Sequence, residues 1–379
     1  MKNRTIPLSD IDIGEEEIKA VSNVLKSKWL SMGPVTLEFE QKFSNYLGIK
    51  HSFGVSSGTS ALHMANKVLG VGQGDEVIMP SLTFVATANS SLYCGAKPVF
   101  ADISSFDDLN ISSDDILEKI TPKTKAITVV HYGGYPCEMN AIMEIAEDHN
   151  LKVIEDAAHA PGAEYEDKKC GTIGNVGCFS FFPNKNMVTG EGGMLVTNDT
   201  DLAKKIRTMR SHSMTTLTWD RHKGHAYSYD VIDLGFNYRI NEIASAIGKI
   251  QLNKLEKNNK KRRDIVNEYI KQFKTIKDIS IPFRENKSKS SNHLFPLILS
   301  EQISRDEIMI ELARMGIQTS VHYPPIHLFS YYQQNLNLKN LYLPKTELVS
   351  QQVISLPLYP TMNTEDLAYV CKSLKNTLT

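Results

Sequence analysis

The stretch Gly177-Cys-Phe-Ser-Phe-Phe-Pro-Asn-Lys-Asn-Met-Val-Thr-Gly-Glu-Gly-Gly-Met-Leu-Val-Thr197 sets two short apolar runs, 178–182 and 194–196, on either side of a loop. That loop carries one lysine, Lys185, and ends in Gly190-Glu-Gly-Gly193. Flanking strands would hold the lysine's backbone, while glycines let a neighbouring segment or a ligand approach closely. A lysine amine becomes nucleophilic when desolvation or a nearby cation lowers its pKa, and it then condenses with an aldehyde. Most lysines are solvated surface groups, so the chemistry of Lys185 depends on what the chain places beside it.

Upstream, the pattern alternates short strands with helices from residue 52 onward, the signature of a parallel sheet covered by helices. Residues 53–55 predict a strand, Ser56-Ser-Gly-Thr-Ser60 a turn and residues 61–69 a helix. Such a turn presents free N–H groups at a helix N-terminus and suits a phosphate; capping by Ser57 or Thr59 explains it equally well. Further strands are predicted at 74–79, 97–102, 126–130 and 151–154, with Ser112 and Asp115 starting a helix. Phe84 falls at the carboxyl end of the strand at 74–79, where open α/β sheets bind ligands and an aromatic ring can stack on a flat one or join the core. The strand at 151–154 runs into Glu155-Asp-Ala-Ala-His159. Adjacent strand residues face opposite ways, so one of Glu155 and Asp156 faces a site; a capping acid with a structural histidine is the alternative.

Composition narrows the classes. The 379 residues suit two domains or a large one with an appendage, and 22% charged with 41% hydrophobic residues is ordinary for a globular protein. The net charge of -1 offers no bulk field for nucleic acid or anionic membrane. Five dispersed cysteines without a Cys-x-x-Cys pair fit reduced thiols in the cytoplasm. No apolar run nears the roughly 20 residues of a membrane span, and the first residues lack a signal peptide's apolar core.

Before the sheet, residues 14–28 and 35–47 have helical spacing, and Trp29 in the loop between them lines a pocket or packs in the core. After Lys185, a helix is predicted at 199–209. Residues 211–229 form a polar loop with His212, His222 and His225, whose spacing does not suit a metal, and none is expected. A helix over 241–273 carries the basic run 257–263, read as a solvated face rather than a nucleic-acid contact. It links a large domain, 1–250, to a C-terminal α+β domain, 251–379, with strands at 294–299 and 318–322 and helices at 304–315 and after Thr364. The loop from His322 to His327 projects toward the domain interface.

A phosphate-type turn, an aromatic, a strand-end carboxylate and a strand-flanked lysine together list what pyridoxal phosphate needs. The chain resembles the DegT/DnrJ/EryC1/StrS family of fold-type I aminotransferases of nucleotide-linked keto sugars. The motifs carrying the resemblance span nearly the whole chain: Trp29-Leu-Ser-Met-Gly-Pro34, Ser57-Gly-Thr-Ser-Ala-Leu62, Gly74-Asp-Glu-Val-Ile78, Thr83-Phe-Val-Ala-Thr87, Glu155-Asp-Ala-Ala-His159, Phe179-Ser-Phe181 with Lys185 and Gly190-Glu-Gly-Gly193, Gly235-Phe-Asn-Tyr-Arg239, and Ser320-Val-His-Tyr323.

The resemblance implies an α/β fold with a mostly parallel sheet and a smaller C-terminal α+β domain. It gives Lys185 the roles of cofactor-holding lysine and acid–base, Asp156 that of the acid on the ring nitrogen, and His159 that of neighbour to the phenolic oxygen. Phe84 resembles the stacking residue. Gly58, Thr59 and Ser180 match the phosphate cradle, and Asn237 a residue reaching the cofactor phosphate of a second subunit in a homodimer. Trp29, Ser31, His322 and Tyr323 fall at substrate-contact positions. Relatives commonly have glycine where Ser213 stands, and some carry histidine in place of the lysine and act as dehydratases. The implied activity is transfer of an amino group from L-glutamate, through pyridoxamine phosphate, to a nucleotide-linked keto-deoxy sugar for a surface polysaccharide or glycoconjugate. Amination of a cyclitol, and a non-catalytic regulatory protein on the same fold, are the alternatives.

Overall fold

The computed structural model describes residues 5–216, 228–286 and 288–378. Its main sheet has seven strands: β1 His51–Val55, β2 Glu76–Pro80, β3 Lys97–Ala101, β4 Thr124–Val130, β5 Lys152–Asp156, β6 Val176–Ser180 and β7 Gly193–Thr197. They lie in the order β1-β7-β6-β5-β4-β2-β3. Pairing is parallel from β3 through β6, and β7 runs antiparallel to both β6 and β1. Six strands therefore end at one edge, and β7 begins there.

Both faces are covered, which is why these strands read as nearly continuous apolar runs. Phe179, Phe181, Met194 and Val196 meet Phe39 and Phe43 of the helix Pro34–Leu47 and Leu252 and Leu255 of the helix Glu242–Phe273. Cys178 and Leu195 point the other way, onto Leu62 and Ala65 of the helix Gly58–Val68 and Ile206 of the helix Thr200–Met209. The side-chain period of two thus sorts one hairpin between two cores.

A second sheet joins β8 Ile279–Ser280, β9 Phe295–Leu299 and β10 Val353–Leu356 in antiparallel order. Its core includes Tyr269 and Phe273 from the end of the long helix, Leu312 from the helix Arg305–Arg314 and Leu374 from the helix Thr364–Thr377. Residue 250 falls inside the long helix, whose first half packs on the main sheet and whose second half packs on this one. Asn241 caps that helix, accepting from Ala244 N at 2.9 Å.

Several expectations need correction. Residues 318–322 form no strand: Gln318 N donates to Ile6 O at 3.0 Å, while Ser320 makes an isolated bridge to Ser355. Two different partners share this short segment, so no ladder develops. The basic run at 257–263 is solvated at Lys257, Lys260 and Lys261, whereas Arg262 is buried and donates to Leu358 O at 2.8 Å. Its position, three residues beyond buried Asn259, turns it inward. The helices Met139–Asp148 and Pro344–Gln352 and the strand β10 were not anticipated. Among the described residues no helix is long and apolar enough to cross a membrane.

Asp156 and Glu155 face opposite sides of β5. Glu155 is fully buried and accepts from Gly171 N at 2.6 Å, Ile173 N at 2.7 Å, Gly174 N at 2.6 Å and His131 Nε2 at 3.0 Å. Cys137 N donates to His131 Nδ1, so Nε2 carries the proton that Glu155 accepts. Replacing Glu155 with alanine strands two buried and two half-buried donors and should cost about 3–5 kcal/mol of stability by denaturant unfolding; a loss below about 1 kcal/mol would contradict this account of the 170–174 turn.

Candidate active site

The groups singled out in the sequence gather where six strands end. Asp156 closes β5, Ser180 closes β6, Gly58 and Thr59 follow β1, Phe84 follows β2, and Lys185 sits in the loop between β6 and β7. This is the edge where open α/β sheets place their ligands.

The Lys185 loop is stiff because its flanks are buried. Phe181, Met187 and Val188 are in the interior, and Phe181 N donates to Gly192 O and Thr189 N to Phe181 O at 2.9 and 2.8 Å. Lys185 N bonds Phe182 O at 2.9 Å, which turns the chain at the lysine. Its side chain is half-buried, and burial pushes the amine down to about 8, although the Asp156 carboxylate pulls it the other way. A lysine in that range is a usable nucleophile and proton carrier near neutral pH.

Asp156 is buried. Its Oδ2 accepts from Thr87 Oγ1 at 2.9 Å and its Oδ1 from Ala158 N at 3.2 Å. Burial raises the carboxyl above the usual aspartate range, while the Thr87 hydroxyl, the Ala158 N–H and the Lys185 charge draw it back. Thr87 Oγ1 lies 3.2 Å from Thr83 Oγ1. Because Thr87 spends its proton on Asp156, Thr83 is the donor in that pair.

His159 Nε2 lies 3.1 Å from Tyr323 OH, with the two rings stacked at 6.0 Å. Its Nδ1 is buried with no hydrogen-bond partner. Burial holds the imidazole well below its ordinary pKa, and the charges of Lys185 and His322 act in the same direction. His322 is pushed down to about 4, again by burial first, with its Nδ1 2.9 Å from Ser355 Oγ and its carbonyl accepting from Tyr132 OH. Phe84 is 57% exposed and its ring centre lies 6.4 Å from that of Tyr323.

Beside Ser180 the backbone is packed to the limit. A Cβ on Gly58 would stand 2.8 Å from Ser180 Cβ, and one on Gly193 would stand 2.5 Å from Ser57 O. Gly193 pairs with both Ser180 and Val55, so the glycine run lets the β1 turn seat directly on the β6–β7 pair. Ser57 does cap the helix, accepting from Ser60 N at 3.1 Å, which leaves the Gly58 and Thr59 N–H groups outside that cap. These two N–H groups and Ser180 Oγ have the donor chemistry of an anion cradle. Together with the orphaned His159 Nδ1 and the Asp156 carboxylate, the cradle fits a phosphorylated pyridine aldehyde: donors for the phosphate, a donor or acceptor for a ring oxygen, and an acceptor for a ring N–H.

Three expected residues have other surroundings in the single chain. Trp29 donates from Nε1 to Met32 O at 3.4 Å and packs against Gly33, whose Cβ would stand 2.6 Å from that nitrogen. Its loop is tied to Glu242, which accepts from Gly33 N, Val35 N and Thr36 N at 2.8–2.9 Å. Ser31 and Asn237 are exposed; Asn237 bridges to Ser211, and its neighbour Tyr238 accepts from Ser56 N at 2.8 Å, beside the β1 turn. Ser213 is buried at φ 51°, a left-handed backbone that glycine adopts more easily. His222 and His225, with most of the 211–229 loop, lie outside the described residues.

Sequence reasoning missed Thr87, Asn186 and His293. Thr87 stood in the quoted 83–87 stretch, four residues after Thr83, so two hydroxyls flanking a helix start were there to be read. His293 left no local signal. It reaches the site from far along the chain, and its ring centre lies 4.3 Å from that of His159.

Comparison with known proteins finds relatives over nearly the whole chain. Residues 11–375 match the profile of the DegT/DnrJ/EryC1/StrS aminotransferase family. The chain is 39% identical over 380 residues to the spore coat polysaccharide biosynthesis protein SpsC of Bacillus subtilis, covering 99% of this chain and 97% of that one. It superposes on Helicobacter pylori PseC, an aminotransferase involved in the biosynthesis of pseudoaminic acid, with a TM-score of 0.93 at 34% identity, covering 99% of each chain. The PLP form of Spr1654 from Streptococcus pneumoniae, described as a sugar aminotransferase, superposes with a TM-score of 0.91 at 29% identity over 98% of each chain.

Proposed function

The chain belongs to the DegT/DnrJ/EryC1/StrS aminotransferase family, and from that premise we propose that it carries an amino group from L-glutamate to the keto carbon of a nucleotide-linked deoxy sugar. The observation that carries the proposal is the meeting of Lys185, Asp156 and the Gly58–Ser180 cradle at one sheet edge. Bound pyridoxal phosphate would supply the aldehyde that accepts the amino group and a conjugated ring that spreads the charge left when a C–H proton departs. Gly58, Thr59 and Ser180 would hold its phosphate, Asp156 its ring N–H, and His159 its ring oxygen. Phe84 would cover its face. Lys185, uncharged in an appreciable fraction near neutral pH, would take a proton from carbon and return it. Tyr323, bonded to His159, and the neighbouring His322 would line the substrate side.

The exposed apolar residues Val231, Ile232 and Leu234, beside exposed Asn237, support a homodimer in which Asn237 reaches the cofactor phosphate of a second copy. The names of SpsC and PseC support a role in a surface polysaccharide or glycoconjugate, and five free cysteines support a cytoplasmic setting.

The test begins with cofactor-free protein. Pyridoxal phosphate uptake, followed by absorbance, should rise about tenfold per pH unit below Lys185's pKa of about 8 and level off above it, since only the free amine reacts. An unperturbed lysine would keep accelerating past pH 10. L-glutamate should then convert the loaded protein to its pyridoxamine form. A panel of UDP-, dTDP- and GDP-keto sugars and a cyclitol ketone should contain one that restores the starting spectrum. No uptake, or no response to glutamate, would leave a non-catalytic protein on this fold.

A further inference from the structure

The segment 290–294 of the C-terminal region meets the Lys185 loop at Asn186. Ser291 N donates to Gly134 O at 3.1 Å, Ser291 Oγ to His159 O at 2.7 Å, and His293 N to Gly133 O at 2.9 Å. Gly134 sits at φ 88°, and a Cβ there would stand 2.8 Å from His159 O, so this crossing requires glycine. The seat is rigid and built for close approach.

The hydrogen bonds around it admit only one proton arrangement. Asn259 Nδ2 donates to Pro161 O at 2.8 Å, so Asn259 Oδ1 is the atom that meets Asn186. Asn186 Nδ2 donates to that oxygen at 2.9 Å and to Ser291 O at 2.7 Å. Asn186 Oδ1 therefore faces His293 Nδ1, 3.0 Å away, and Nδ1 must be the donor. His293 thus carries a proton on Nδ1. Burial depresses its pKa well below the ordinary value, and the neighbouring His159, Lys185, Arg262 and His322 push the same way.

Asn186 is the residue immediately after Lys185. We propose that His293 is a positioning residue for Lys185, gripping the lysine loop through Asn186 so that the C-terminal unit sets the direction of the amine. The proposal rests on the reading of Lys185 as the amine that captures an aldehyde. It also gives a reason for so many polar groups in a buried place: unpaired, each would cost free energy, and paired they admit one geometry. A one-ångström error at a reacting amine costs up to about a hundredfold in rate, which the grip would prevent.

The test uses cofactor-free protein at about pH 9, above the pKa of Lys185, so that protonation does not limit the rate. Asparagine places an amide N–H where Nδ1 stands, and glutamine places one near Nε2. His293→Asn should take up pyridoxal phosphate within about threefold of the unaltered protein, whereas His293→Gln and His293→Phe should be about tenfold slower. Asn186→Leu should show the same loss, and combining it with His293→Phe should add nothing further. Equal rates for the asparagine and glutamine variants, an unslowed His293→Phe, or fully additive losses would overturn the proposal. If either histidine variant fails to fold, Asn186→Leu alone decides: a normal rate overturns the grip, and a tenfold loss with an unchanged unfolding midpoint supports it. Failure of the unaltered protein to take up the aldehyde would instead defeat the functional reading.

Discussion

Lys185→Ala should yield a folded protein that forms no covalent adduct with pyridoxal phosphate and whose amino-transfer rate falls by about 10⁴-fold or more, the upper range for a lost acid–base group. The fold should survive because the loop hangs on buried Phe181, Met187 and Val188 rather than on the lysine, whose side chain is only half-buried. Removing a desolvated amine takes away a strained group, so the unfolding midpoint should hold or rise slightly. Absorbance titration, turnover with L-glutamate and thermal unfolding check the three parts. Turnover within tenfold of the unaltered enzyme would remove Lys185 from the chemistry.

Asp156→Asn should cost about 10²–10³ in turnover, comparable to losing one preorganised electrostatic partner of a transition state. The amide keeps the shape of the carboxylate but not its charge. Its oxygen must remain toward Ala158 N, which can only donate, so the new NH₂ faces Thr87. Thr87 can accept from that NH₂ and turn its own proton to Thr83, 3.2 Å away. The pair reverses its direction, which keeps the Thr87 and Ala158 contacts but takes from the buried Thr83 hydroxyl its Thr87 acceptor. Stability should therefore fall by about 1–2 kcal/mol, the cost of one buried donor left unpaired, while turnover collapses. Steady-state kinetics with denaturant unfolding separate these outcomes, and equal losses in both would reduce Asp156 to a structural acid.

Much of this site was legible because its members follow strands. The alternation that betrays a parallel sheet also says where each strand ends, and Asp156, Ser180, Phe84 and the Gly58 turn all stand at such ends. Lys185 was legible from its two flanking apolar runs. The failures share a different cause: pairing with something remote. Residues 318–322 have strand-like composition, yet their partners are Ile6 on one side and Ser355 on the other, and no local pattern announces a split ladder. Arg262 stands in a run of lysines and looks solvated until the long helix is seen to be packed on two cores. His293 was invisible because its seat is made by Gly133, Gly134 and Asn186, each unremarkable alone. Asn237 is exposed beside the β1 turn, and a second copy is the proposed setting for it.

The Ile6 pairing has a consequence for how the protein is made. Ile6 N bonds Gly316 O at 2.8 Å, Leu358 N bonds Leu8 O at 3.0 Å, and His159 leans on Tyr323. During synthesis the seven strands of the main sheet all emerge before residue 200 and can condense as a unit. The segment holding Ile6 and Leu8 must then wait for residues 316–358, and the imidazole of His159 stays without its phenol for as long. A ribosome stalled before residue 316 would hold a nascent chain with its lysine and acid in place and its first residues still loose, open to proteases and chaperones. The order of translation thus places the docking of Ile6 and Leu8 after the main sheet, whose strands are complete by residue 197.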